Sequence, residues 1–301
     1  MTRITVASAE EADLDSIAWA LGDARDRTGA WLRWRLRPPA GPGVIVRSGD
    51  GLVLLTPLVL ADGTEAWQQI DAVGEVDALQ QAVTDVADTR PLLAFGARPG
   101  GSGWRHLDTL PSWATGPDPF EPLQPRVIEP DERHDALAGR VTTGQRAQVE
   151  TWSGRPAGDA GDAGLPLVPA RGAAWLRWRL AESDDIQLME VADGPEVGPH
   201  AHCRGWVMIR EGESHGQRVL RVLDLQASDR DAHYALLKAA RKLSWERGGI
   251  PVVLHGERMS RRYAFTAGFL PASKPLVQSA LSVWARGPTP EGRWRAWAAD
   301  R

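Results

Sequence analysis

Short apolar runs alternate with amphipathic stretches along this chain, and the alternation occurs twice. In the first 120 residues, apolar runs at Ile4–Val6, Val44–Val46, Leu52–Leu60, Trp67–Ala72 and Leu92–Phe95 predict strands. Glu75–Ala87 has helical spacing. In the remainder, Val127 and Ile128, Gln187–Ala192, Gly205–Arg210, Arg218–Leu225 and Val252–His255 predict strands again, and two late strands end near Trp284 and Trp297. A long helix is expected from about Asp229 to Arg247. Its apolar positions Ala232, Ala235, Leu236, Ala239, Ala240 and Leu243 keep the helical period, and Gly248-Gly249 stops it. A shorter helix runs to Gly268-Phe269.

One heptapeptide recurs. Ala30-Trp31-Leu32-Arg33-Trp34-Arg35-Leu36 returns as Ala174-Trp175-Leu176-Arg177-Trp178-Arg179-Leu180. Seven identical residues, two of them tryptophan, mark an internal repeat. On a helical wheel Trp31, Leu32, Trp34 and Leu36 share one apolar arc, with Arg35 inside it and Arg33 outside. Arg179 sits in the same place in the second copy. A buried arginine needs an acceptor, so these two are either anchors of helix to sheet or part of an anion site. The proline-dense stretch from Gly116 to Pro130 reads as the linker, giving domains at 1–120 and 121–301. Ser153–Pro169, rich in Gly, Pro, Ala and Asp, reads as an inserted loop. Each half is thus a mixed α+β unit, a twisted and mostly antiparallel sheet flanked by helices.

Composition narrows the function classes. The 301 residues carry a formal net charge of -4, which argues against a general DNA binder. Cys203 is the only cysteine, so an intramolecular disulfide framework and a CxxC redox motif are excluded. His200, His202 and Cys203 lie close together, but no second ligand pair accompanies them, and no metal is expected. There is no apolar run of membrane-spanning length and no apolar signal region at the start. The expectation is a cytoplasmic protein without a membrane partner. The fourteen tryptophans read mainly as core and interface anchors.

The repeated WLRWRL helix, the Ala267-Gly268-Phe269 stretch and the late Trp294-Arg295-Ala296-Trp297 segment with Asp300 resemble the GCN5-related N-acetyltransferase (GNAT) superfamily, as a tandem pair whose first copy is degenerate. The resemblance implies two GNAT-like domains, with the second as the candidate catalytic half. It implies acetyl-CoA, or another acyl-CoA, as donor. The family's pyrophosphate loop, Arg/Gln-x-x-Gly-x-Gly/Ala, falls here on Arg230-Asp231-Ala232-His233-Tyr234-Ala235. Arg230 and Ala235 match, whereas His233 replaces the first glycine. In the family, helix-start N–H groups hold the pyrophosphate. On plain sequence grounds the same segment is an ordinary helix start with Ser228 as its cap. The resemblance also implies a backbone N–H of the fourth strand, at Leu225, polarising the acyl carbonyl. Asp224 stands where the family often carries a base, and His255, closing the fifth strand, is a second candidate acid or base. The family's tyrosine acid falls on Ala264, with Tyr263 beside it.

The activity expected from these residues is acyl transfer to an amine of a small molecule or a peptide. Two alternatives stay open. One is a GNAT-fold transferase with another donor such as aminoacyl-tRNA, for which Arg171, Arg177, Arg258, Arg261 and Arg262 would supply the basic patch. The other is a non-catalytic binding protein, in which side chains would fill the cleft near His233, Tyr263 and His255. A monomeric pseudo-dimer and a homodimer are both compatible with the repeat.

Overall fold

The computed structural model describes residues 4–22, 28–60, 63–118, 126–127, 173–181, 185–192, 203–214, 216–227, 229–256, 261–272 and 281–288. The inserted loop at Ser153–Pro169, the His200/His202 pair, the proposed cap Ser228 and the Trp294–Asp300 segment lie outside these residues.

The first half runs β1 (Thr5–Ser8), α1 (Leu14–Ala20), α2 (Gly29–Arg35), β2 (Val44–Ser48), β3 (Gly51–Val59), β4 (Glu65–Val73), α3 (Gln80–Ala87), β5 (Leu92–Gly96), β6 (Arg105–Leu110) and β7 (Ser112–Thr115). The second half runs β8 (Arg126–Val127), α4 (Ala173–Leu180), β9 (Gln187–Ala192), β10 (Cys203–Ser214), β11 (Gln217–Ala227), α5 (Arg230–Glu246), β12 (Val252–His255), α6 (Arg261–Thr266), β13 (Leu270–Pro271) and β14 (Leu281–Arg286).

Two seven-stranded sheets result. One has the order β1-β2-β3-β4-β5-β14-β6 and the other, taken from its far end, β8-β9-β10-β11-β12-β7-β13. The two orders correspond strand for strand, except that β7 and β14 have changed places. Each sheet therefore takes its sixth strand from across the boundary expected at residue 120. Apart from the β4–β5 and β11–β12 pairs, which are parallel, all neighbours are antiparallel.

Helices cover both faces of the second sheet. The apolar stripe of α5 (Ala232, Ala235, Leu236, Ala239, Ala240 and Leu243) is buried against Val207, Val222, Leu225 and Leu254. On the opposite face, Leu176 and Leu180 of α4 meet Leu188, Trp206, Met208 and Leu223. Gly248 and Gly249 end α5 with φ of 88° and 80°, a conformation glycine adopts without steric cost.

The expected linker is structured where it is described. Arg126–Val127 pairs with β9. Asp118 is buried and takes ion pairs from Lys238 at 2.7 Å and Arg241 at 3.0 Å. This pins the segment after β7 onto α5, which is what β7's place in the second sheet requires.

The repeated helices meet each other. The rings of Trp34 and Trp178 stack at 4.7 Å between centroids, 14° from parallel. Trp34 Nε1 donates to the Trp178 carbonyl at 2.6 Å, and Trp178 Nε1 returns a bond to the Trp34 carbonyl at 2.9 Å. Arg35 and Arg179 are buried beside this stack. Arg35 lies 5.8 Å from the Trp178 ring and Arg179 lies 5.1 Å from the Trp34 ring, within cation–π range. The arginine inside each apolar arc thus belongs to a helix-to-helix joint between the two halves.

Candidate functional site

The site lies where the pairing of β11 with β12 ends. β11 and β12 pair at only three positions, Leu220↔Val252, Arg221↔Val253 and Val222↔Leu254. Beyond them β11 continues to Ala227 while β12 ends at His255, with no further pairing between the two among the described residues. A bulge lies at the same point. Met208 opposes Asp224 while Ile209 opposes Val222, so Leu223 is the extra residue. Opposed residues share a sheet face. Met208 belongs to the α4-side core, and this puts Asp224 on the α4 side.

Asp224 is fully buried, and its Oδ1 accepts from Gln226 Nε2 at 3.4 Å. Burying a carboxylate is costly without hydrogen bonds. His255 follows Leu254, which faces the α5-side core, so alternation turns His255 to the α4 side as well. It ends β12 one residue beyond the last pair with β11, on the face that carries Asp224. His255 Nδ1 and the Ser112 Oγ are 2.8 Å apart, and the two residues are register partners in β12 and β7. Ser112 was not among the residues the sequence singled out. It reaches the site only because β7 crosses from the first half.

The first half offers an internal comparison. Its fourth strand carries a bulge at Ile70, with Leu54 opposing Asp71 and Leu55 opposing Gln69. Asp71 thus matches Asp224. The places of His255 and Ser112 are taken by Phe95 and Val283, which oppose each other and are both buried. The fold accepts an apolar pair there, so the serine and histidine are a property of the second half alone.

The remaining expected residues gather on the other face, at the start of α5. His233 Nδ1 and Tyr263 Oη are 2.8 Å apart, with ring centroids at 5.5 Å. Tyr263 Oη donates to the Arg230 carbonyl at 3.4 Å, and the Arg230 guanidinium lies 5.0 Å above the Tyr263 ring. Leu225 and Ala235 are buried in the α5-side core. Arg230, His233 and Tyr263 therefore form one packed group, while Asp224 and His255 lie on the opposite face.

The cap of α5 is Asp229, not Ser228. Its side chain accepts from the N–H groups of Asp231 and Ala232, both at 2.9 Å. It has extended backbone, with φ −149° and ψ 172°, as a cap residue requires. Arg204 of β10 grips the same carboxylate with two bonds, Nε to Oδ2 at 3.0 Å and a terminal nitrogen to Oδ1 at 2.8 Å. The N–H of His233 bonds to the Asp229 carbonyl at 3.0 Å. Of the four helix-start N–H groups, those of Asp231 and Ala232 are therefore engaged by the Asp229 carboxylate, and the His233 N–H makes the first intrahelical bond. A pyrophosphate cradle of the expected kind does not fit these residues, because a carboxylate already stands where phosphate oxygens would accept.

In the first half, the loop after β5 closes over the corresponding helix start. Ser102 N donates to Asp77 Oδ1 at 2.9 Å. Arg286 of the exchanged β14 reaches the Gln80 carbonyl at 3.2 Å and Thr84 Oγ1 at 2.9 Å. Burial lowers the Arg286 pKa below its ordinary value, and Asp77 opposes that shift.

Among the described residues, no group of three His, Cys, Asp or Glu side chains is arranged to hold a metal ion. No helix among them is long and apolar enough to cross a membrane.

Comparison with solved structures identifies the fold. The chain is similar to a conserved Enterococcus faecalis V583 protein of unknown function named as a probable N-acyltransferase, at TM-score 0.56 and 11% identity, over 95% of this chain and 72% of that one. It is similar to a GCN5-related N-acetyltransferase from Anabaena variabilis, at TM-score 0.53 and 11% identity, over 94% and 72%. It is also similar to a GCN5-related N-acetyltransferase from Kribbella flavida, at TM-score 0.51 and 12% identity, over 94% and 70%. The chain thus has the fold of the GCN5-related N-acetyltransferases. No family model matches its sequence, and no curated protein does.

Proposed function

We propose that this protein is an acyltransferase that moves an acyl group from a thioester donor to an amine, at the end of the β11–β12 pairing. Both halves are read as tandem copies of one GNAT-type unit, of which the second is active. One observation carries the reading: Asp224 and His255 lie on the same face, just beyond the last paired residues of the two parallel strands. Amine acylation needs a group that takes the ammonium proton, and these two side chains are positioned for it. Ser112, hydrogen-bonded to Nδ1, orients the ring; with Nδ1–H donating to the hydroxyl, Nε2 is the basic nitrogen. The acceptor is a small-molecule or peptide amine that approaches from the α4 side.

The filled start of α5 supports a second reading, in which the chain binds a ligand or a protein without transferring anything. Thiol release from acetyl thioesters, measured across a panel of amines, separates the two. Under the first reading, turnover is found and His255→Gln lowers it by about 10²-fold or more, with the circular dichroism spectrum unchanged. Asp224→Asn has a comparable effect. Equal turnover in the wild type and in a folded His255→Gln protein would remove His255 from the account. No turnover with any amine would favour the binding protein.

A further inference from the structure

The start of α5 has the chemistry of an anion site, and the chain supplies the anion. The helix is 17 residues long, and its dipole and free N–H groups favour negative charge at this end. Two N–H groups and the Arg204 guanidinium, which comes from a different element, converge on the one carboxylate of Asp229. The arginine side chain is 29% exposed and the aspartate 39%, so solvent reaches this pair.

We infer that Asp229 is a specificity-determining residue: its carboxylate, clamped by Arg204, stands in for a donor's phosphate group, and the second half therefore takes its acyl donor by the thioester arm alone. Donors with and without a nucleotide diphosphate are then equivalent to this protein. This second clause rests on the acyl-transfer reading, whereas the closure of the site does not. His233 agrees with it. Its ring is packed on Tyr263 at the position where a glycine would let backbone approach a phosphate.

The test uses the full chain, calorimetric titration at low ionic strength, and three ligands: inorganic pyrophosphate, coenzyme A and pantetheine. Asp229→Gly removes the carboxylate but keeps an acceptable cap, since extended backbone suits glycine. Asp229→Asn keeps a side-chain acceptor in place without the charge. Thermal melting verifies that each variant is folded. The wild type is expected to bind coenzyme A and pantetheine with affinities within about three-fold of each other, and pyrophosphate not at all at millimolar concentration. The glycine variant is expected to gain about ten-fold or more for coenzyme A and pyrophosphate, but nothing for pantetheine, and the gain should fall as salt is added. The asparagine variant should gain less than the glycine variant.

The inference is overturned if the wild type prefers coenzyme A to pantetheine by about ten-fold or more. It is also overturned if the folded glycine variant gains nothing for pyrophosphate. A wild type that binds neither thiol, with a glycine variant that acquires pyrophosphate, upholds the closed site and removes the thioester-donor reading instead.

Discussion

Trp34 and Trp178 join the two halves, each giving the other a ring face and a hydrogen bond. Replacing Trp34 by Phe keeps the stack and loses the bond to the Trp178 carbonyl. Urea denaturation should then show a loss of about 1 kcal/mol. Trp34→Ala also removes the ring, and a loss of about 3 kcal/mol is expected. A double-mutant cycle with Trp178→Ala should give a coupling of about 1 kcal/mol, and additive losses would mean that the stack carries no energy. At the acid end, one residue has a defined pH signature. Hydrogen bonds from the Ser16 hydroxyl, and then from the Ser16 backbone N–H, hold the Asp13 carboxyl below its ordinary 3.8. A carboxyl with a lowered folded pKa adds stability above its unfolded pKa and loses it as pH falls through the folded value. Melting curves between about pH 5 and pH 2 should therefore show a shallower decline for Asp13→Asn than for the wild type. Parallel declines would remove Asp13 from the acid response.

Among the elements, the most constrained turn joins β4 to the helix that follows. Gly74 has φ +70°, and a Cβ added there would run into the Asp50 carbonyl. Gly74→Ala should destabilise the protein by about 1–3 kcal/mol in denaturant titration, whereas Gly63→Ala, in open space at φ +87°, should cost less. How far such elements can be read from sequence depends on what determines them. The long helix was legible because its apolar period is local, and α5 buries the stripe that the sequence marks. The fold class was legible for the same reason. The cap of α5 was misplaced by one residue, because Ser228 and Asp229 are both good cap residues and only the position of Arg204 selects between them. The two bulges escaped notice because they are defined by cross-strand register, which no single strand encodes. Their local trace is an aspartate near the end of each fourth strand, at Asp71 and Asp224. Ser112 could not have been found from its surroundings, since its partner His255 is 143 residues away. The one available signal was the Trp-Ala pair shared by β7 and β14, Trp113-Ala114 and Trp284-Ala285.

At the scale of the whole molecule, the exchange of β7 and β14 makes the two sheets mutually dependent. In the first sheet β14 pairs with β5 on one side and β6 on the other, and in the second β7 lies between β12 and β13. Removing either strand leaves two neighbours with unpaired backbone groups in a sheet interior, which is costly. It also exposes apolar edges that invite aggregation. A specific protease site placed in the Ser153–Pro169 stretch would cut the chain within the second half, between β8 and α4, and leave β7 on one fragment and β14 on the other. The two fragments should stay together in size-exclusion chromatography and separate only in denaturant. Each fragment expressed alone should be insoluble or unfolded, and co-expression should restore a soluble pair. A first fragment that folds alone to a stable monomer would show that β14 is dispensable to its sheet. The exchange also bears on chemistry, because Ser112 travels with β7. A re-formed pair should therefore recover the ring geometry of His255, and Ser112→Ala in the first fragment should change the 15N shifts of a histidine in the second. That transfer of an effect between separate chains would tie the strand exchange directly to the candidate site.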